Sequence, residues 1–169
     1  TGHLTLSKGW SENDSVDVMV SNAVICDKEL PLLRTYQEDL LQYYNAKVSN
    51  QYSFDTEADV VANEINEFCK ESTNGMIPSV VNPETIKELH LAVINALYFN
   101  GKWAEPFQDR ELSEEAFKNG DGTQSNVTMM SQSGRCYFEN KDAVGFSKDY
   151  EGGKFEFIGI LPKEKICNE

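Results

Sequence analysis

The run LAVINALYF, from Leu91 to Phe99, is apolar at every position but one, and its centre is the amide Asn95. No other stretch limits the fold so tightly. Val93, Ile94, Tyr98 and Phe99 favour extended chain over helix. A nearly continuous apolar run predicts a strand covered on both faces. Asn95 then falls in the interior. An unpaired buried amide costs roughly 1–3 kcal/mol, so the pattern also predicts a hydrogen-bond partner for it.

The elements around that strand follow from periodicity. SVDVMVSNAVIC is β-rich and alternates at Val16, Val18 and Val20, predicting a strand near residues 18–26. In ELPLLRTYQEDLLQYYNA, the residues Leu33, Tyr36, Leu40 and Tyr44 recur at helical spacing, predicting an amphipathic helix over about 31–45 with Pro31 in its first turn. KVSNQYSF reads as a short extended piece. DTEADVVANEINEFCKESTNG predicts a second helix over about 57–72, with Ala58, Val61, Ile65 and Phe68 on one face. Asp55 or Thr56 suits its N-cap, and Gly75 suits C′ because glycine accepts positive φ. Both stripes are expected to pack into a core.

Beyond Trp103 the texture turns to strands and turns. EEAFKNGDGTQSNVTMM predicts a hairpin across Gly120–Thr123. GRCYFEN and DAVGFSKDY read as further strands, and EGGK turns the chain into KFEFIGILPKE, where Phe155, Phe157 and Leu161 share a face. The class is α+β, with the helices in the first half and most strands in the second. No repeat, low-complexity tract or linker divides residues 1–169.

Charge and cysteine usage narrow the partners. The net charge of −13 argues against nucleic acid and against an anionic membrane surface, since both need clustered Lys and Arg. No segment approaches about 18 consecutive apolar residues, so no membrane-spanning helix is expected. No signal peptide is visible in TGHLTLSKGW. Cys26, Cys69, Cys136 and Cys167 are widely and irregularly spaced without a C-x-x-C pair, so scattered free thiols are expected rather than a zinc or redox motif. Sequons stand at Asn13 and Asn126. Triplets of that kind arise often by chance.

Catalytic signatures are thin. The two histidines, His3 and His90, are far apart in sequence. No G-x-S-x-G elbow accompanies them. His90 opens an apolar strand and suits a structural or surface role. Cys69 lies in or near the apolar stripe of its helix and suits packing. GDGT and EGGK lack the strand-to-helix context and G-K-[ST] ending of a phosphate loop. No EF-hand loop occurs. No enzyme activity, metal or cofactor is expected.

The motifs SNAVIC, INEFCKESTNGMI, INALYFNGKWAEPF, TMMSQ and KFEFIGILPKE, in that order, resemble the serpins, the serine protease inhibitor superfamily. The resemblance is best over residues 20–165; residues 1–19 match it poorly. NALYFNGKW followed by PF is its most specific signal. The resemblance implies a partial serpin fold. SNAVIC would be the second strand of sheet A, residues 31–45 helix E, KVSNQYSF the first strand of sheet A, residues 57–72 helix F, and HLAVINALYFNG the third strand. The remainder would give the sheet C hairpin and three strands of sheet B.

The same resemblance implies roles. Asn95 corresponds to the asparagine of the serpin shutter, which in the family bonds a histidine of the fifth strand of sheet A; neither histidine here aligns with that residue. Trp103 corresponds to the tryptophan of the breach, where the reactive loop begins to insert. The opening helices and everything after the third strand of sheet B have no counterpart in these residues, the reactive loop included. The parent would trap serine or cysteine proteases by loop insertion, and this segment should not inhibit alone. A non-inhibitory serpin with a carrier, chaperone or storage role, or a stand-alone interaction fragment, is the alternative. The exposed strand near 90–100 is expected to favour self-association or complementation. A secreted location is favoured by the resemblance alone.

Overall fold

The computed structural model describes residues 15–133 and 136–164. The chain divides into two compact units, Thr1–Asn100 and Gly101–Glu169. In chain order the first half contains β1 (Val16–Cys26), α1 (Arg34–Tyr44), β2 (Lys47–Ser49), α2 (Ala58–Ser72), α3 (Pro83–Lys87) and β3 (Leu91–Gly101). Its sheet has the order β2-β1-β3, with β1 and β2 parallel and Val24 opposite Val48. The Asp27 N–H donates to the His90 carbonyl at 3.0 Å, and Asn22 faces Asn95 further along. Those pairings run in opposite senses, so β1 and β3 are antiparallel.

The strand covered on both faces is β1, not β3. Ala23, Val24, Ile25 and Cys26 are all buried. Ile25 packs with Phe54, Val61, Ile65 and Ile86 under α2, whereas Val24 and Cys26 pack with Leu40 and Ala46 on the α1 side. Among the described residues, only one face of β3 is covered. Ala92 and Ile94 pack against the α2 cluster and Ala96 and Tyr98 are buried, while Val93 and Leu97 are exposed. Side chains alternate across a strand, so Asn95 stands with Val93 and Leu97 on the open face. Its expected burial is therefore corrected. An unbroken apolar run cannot tell which of two neighbouring strands receives the second covering layer.

Both predicted helices form, with corrected ends. Helix α1 begins at Arg34, three residues beyond Pro31, with Leu33 at an N-cap that makes no side-chain hydrogen bond. Leu40 is the buried member of its stripe; Leu33, Tyr36 and Tyr44 are exposed. Helix α2 buries Ala58, Val61 and Ile65, with Phe68 half-buried against them. Glu57 occupies its N-cap, rather than Asp55 or Thr56. The Glu57 carboxylate reaches back to accept the Ser53 N–H, and the Ser53 hydroxyl accepts the Thr56 N–H. At the other end Asn74, with φ of 51°, takes the left-handed C′ position, and Gly75 is one residue further on. Gly75 N–H donates to the Lys70 carbonyl and Asn74 N–H to that of Glu71. This is the paired closure of a Schellman motif. Helix α3 was not expected. NPET encodes it through the Asn82 side chain, which accepts the Thr85 N–H, and Pro83 in the first turn. It delivers Ile86, which is fully buried, to the α2 cluster.

The second unit is strands and turns. After a 3-10 turn at Asp109–Glu111, β4 (Leu112–Lys118) and β5 (Gln124–Met130) form the expected hairpin, with Lys118 opposite Gln124. Strands β6 (Tyr137–Glu139), β7 (Ala143–Asp149) and β8 (Glu156–Pro162) form an antiparallel sheet in that order. Gly145 in β7 is needed for close approach. A Cβ there would lie 2.2 Å from the Phe138 ring and 2.7 Å from the Gly159 carbonyl oxygen. Cys26 and Cys69 are buried free thiols and Cys136 an exposed one. Burial pushes both buried thiols up from their ordinary pKa, which suits packing rather than nucleophilic chemistry. His3, Asn13 and Cys167 lie outside the described residues.

Candidate functional site

Asn95 has a partner, though not an interior one. Its Nδ2 donates to Asn22 Oδ1 at 2.8 Å, and Asn22 Nδ2 donates to the Tyr44 carbonyl at 3.0 Å. The last carbonyls of a helix have no intrahelical donor. Asn22 supplies one at the end of α1 and leaves its own oxygen for Asn95. Two side-chain amides thus join β3, β1 and the C-terminus of α1. Sequence reasoning missed Asn22. The signal was available, because Asn22 is a second lone amide in a β-rich run, SNAVIC.

The covered face of β3 is tied to the chain following α2. Asn74 Nδ2 donates to the hydroxyl of the buried Tyr98 at 3.2 Å. Thr73 is buried and its hydroxyl donates to the Cys69 carbonyl while accepting the Ile77 N–H. Further on, Asn66 Oδ1 accepts the N–H groups of Val80 and Val81, and its Nδ2 donates to the Val81 carbonyl. Every polar atom of the Asn66 amide is engaged by one turn of backbone. This clip holds the segment leading to α3 against α2.

Trp103 lies in the second unit and nucleates an aromatic group. It forms an isolated β-bridge with Tyr150, and the two rings stack at 4.5 Å with 12° between their planes. Phe107 and Phe157 present their edges to it at 6.5 and 5.9 Å. Lys148 Nζ stands 4.6 Å from the Phe107 centroid and 5.6 Å from that of Trp103. The same ammonium donates to the Glu105 carbonyl at 2.7 Å and to Gln132 Oε1. A cation over aromatic faces with its remaining donors engaged fixes the AEPF segment on β7. Nothing in the spacing of the sequence announced Lys148.

His90 lines a shallow cleft of about 600 Å³ together with Asp27, Lys28, Ser53, Phe54 and Lys87. Asp27 accepts the Glu29 N–H at 2.8 Å and the Phe54 N–H at 2.7 Å, which hold its carboxyl below the usual range. Lys28 pairs with Glu57 at 3.5 Å. Asp27 Oδ1 closes its own turn at Glu29, and Oδ2 holds the backbone that carries Phe54 into the core. The cleft is a product of turn construction.

Among the described residues β3 is an edge strand with a polar tie at its midpoint, and the chain following the covering α2 is hydrogen-bonded to it through Asn74. The family profile described as Serpin (serine protease inhibitor) matches residues 3–168. The chain belongs to the serpin family. Serine protease inhibitor 2 of Anopheles gambiae is 26% identical over 161 residues, covering 93% of this chain and 39% of that protein. A serpin-like protein of Thermococcus kodakarensis is 31% identical over 166 residues, covering 96% and 38%. The thermophilic serpin tengpin in its native state superposes with a TM-score of 0.79 at 25% identity, covering 98% of this chain and 42% of tengpin. The chain thus spans about two fifths of the length of these serpins. The family is one of protease inhibitors rather than enzymes, and the mixed helices and sheets are those of a partial serpin fold.

Proposed function

We propose that this chain is the central part of a serpin-type inhibitor whose parent captures serine or cysteine proteases by inserting its cleaved reactive loop into the sheet beside β3. The observation that carries this reading is the position of β3. Among the described residues no strand pairs beyond it in the β2-β1-β3 sheet. A bare edge accepts another extended segment by main-chain hydrogen bonding. Asn95 takes the role of the shutter amide at the middle of that wall, and Trp103, two residues past β3 in the sequence, that of the breach aromatic. In this reading the reactive loop belongs to another part of the parent, and the 169-residue chain alone is expected to form no covalent complex.

The test is incubation of the full-length parent with a panel of serine and cysteine proteases, followed by denaturing electrophoresis. The expected result is a covalent complex that survives denaturation with at least one protease. Cleavage of the parent with no such complex would overturn the inhibitory reading. For the 169-residue chain the bare β3 edge predicts oligomers, or a stable pair with the complementary part of the parent. A monodisperse monomer in light scattering would contradict that expectation.

A further inference from the structure

We infer that Asn126 is an N-glycan acceptor whose glycan the folded hairpin is built to carry. The triplet Asn126-Val127-Thr128 lies within β5. Sequence alone gives such a triplet little weight, since many sequons point inward. Register decides the matter here. Side chains alternate across a strand, and a slip of one residue would reverse both faces. Asn126 and Thr128 are exposed, while Val127 and Met129 between and beyond them are half-buried. The residue directly opposite Asn126 on β4 is Ala116, the smallest side chain on that strand, and it too is exposed. Along the same face Gln124 and Thr128 stand opposite Lys118 and Glu114, all exposed. The acceptor amide therefore stands over a low polar floor, where an added sugar displaces no packed side chain.

The structure also sets the order of events. In the folded hairpin the Thr128 hydroxyl donates to the Glu114 carboxylate, and the Asn126 backbone is held in a paired strand. The acceptor is presented freely only before the hairpin closes. In the transfer, Asn126 Nδ2 attacks C1 of the first N-acetylglucosamine of a polyprenyl-pyrophosphate-linked oligosaccharide. The C1–N bond forms as the C1–O bond to pyrophosphate breaks. Nδ2 loses one proton, and the polyprenyl pyrophosphate departs with the electron pair. Once the hairpin forms, the glycan covers the outer face of β4 and β5, whose strands are largely exposed. A covered face of that kind resists edge and face association.

The test is to express the full-length parent, with residues 1–169 in place, behind a secretion leader in a eukaryotic host. The secreted protein is treated with peptide-N-glycosidase, and the peptide containing Asn126 is sequenced by mass spectrometry. The expected result is conversion of Asn126 to aspartate in most molecules. It is abolished in the Thr128→Ala variant and retained in Thr128→Ser. The same parent, purified unglycosylated and folded, is expected to accept sugar from an oligosaccharyltransferase far more slowly than a peptide spanning the sequon. Secreted protein with Asn126 unmodified, or modified only at Asn13, would overturn the assignment. Because the reading uses the wild-type peptide, it stands even if a variant fails to fold.

Discussion

The two units solve the problem of covering a sheet differently. In the first, α2 lies on one face of β1 and β3 and α1 on the other face of β1, and Phe54, Ile25, Ile65 and Ile86 are almost entirely buried between them. In the second there is no covering helix among the described residues. Phe138, Phe146, Ile158, Ile160 and Leu161 of the β6-β7-β8 sheet are exposed, and order around Trp103 comes from ring stacking and the Lys148 ammonium. The first unit contains its own core. The second leaves large apolar side chains of its sheet exposed. A sheet without its second layer keeps its hydrogen-bond ladder but lacks the burial that makes the ladder stable.

The sharpest way to break that comparison is to truncate one large side chain in each unit. Phe54→Ala is expected to cost about 3–5 kcal/mol in denaturant unfolding, the range for a fully buried aromatic. Ile160→Ala in this chain is expected to stay within about 0.5 kcal/mol, as for exposed positions. In the full-length parent proposed above, the same Ile160→Ala should cost about 2–5 kcal/mol if further elements cover β8. Equal small losses in both backgrounds would show that β8 is an outer surface of the parent.

Polar ties come next. Asn66→Ala leaves the Val80 and Val81 backbone groups without their partner. The expected loss is about 1–3 kcal/mol, with faster amide exchange confined to the residues around 80 and 81. Exchange unchanged at those amides would show that the clip is dispensable. In the second unit, Tyr150→Ala removes the ring stacked on Trp103 and should cost about 0.5–1.5 kcal/mol beyond its buried area. Tryptophan fluorescence would shift to longer wavelength; an unshifted spectrum would deny the stack.

The smallest effects belong to exposed groups. Asn95→Ala is expected to cost about 0.5–1.5 kcal/mol through its bond to Asn22. In the parent it should also speed loop insertion or polymerisation, and unchanged stability with unchanged polymerisation rate would refute the shutter role. The Asp27 carboxyl is held below its usual pKa by the Glu29 and Phe54 N–H groups. A depressed folded pKa gives stability that is present above the unfolded value of 3.8 and fades as pH falls through the folded one. Asp27→Asn should therefore lower the melting temperature at pH near 7. The difference from the wild type should vanish in acid below the folded pKa. A constant difference across pH would assign the effect to something other than that charge.

How much was legible in the sequence follows the same division. Long periodic stripes specified α2 well, because Ala58, Val61 and Ile65 meet a covered sheet. The stripe of α1 was read correctly as helix but not as core, because Leu40 alone of its four members meets the sheet side while Tyr36 and Tyr44 stay exposed. Short strands and the hairpin followed from turn residues. Burial of Asn95 did not follow, since apolar content reports what a strand can bury and not which layers reach it. Its bond to Asn22 joins positions 73 residues apart, a relation that no local pattern encodes. Lys148 over Trp103 and Phe107 was hidden for the same reason.

The most direct test of the central claim is amide hydrogen exchange across residues 91–101 of the full-length parent, before and after cleavage of its reactive loop by a protease. Strand insertion beside β3 predicts a large slowing of exchange along that segment after cleavage, centred on Asn95. Exchange that is the same before and after cleavage would contradict the assignment of β3 as the wall of an insertion slot.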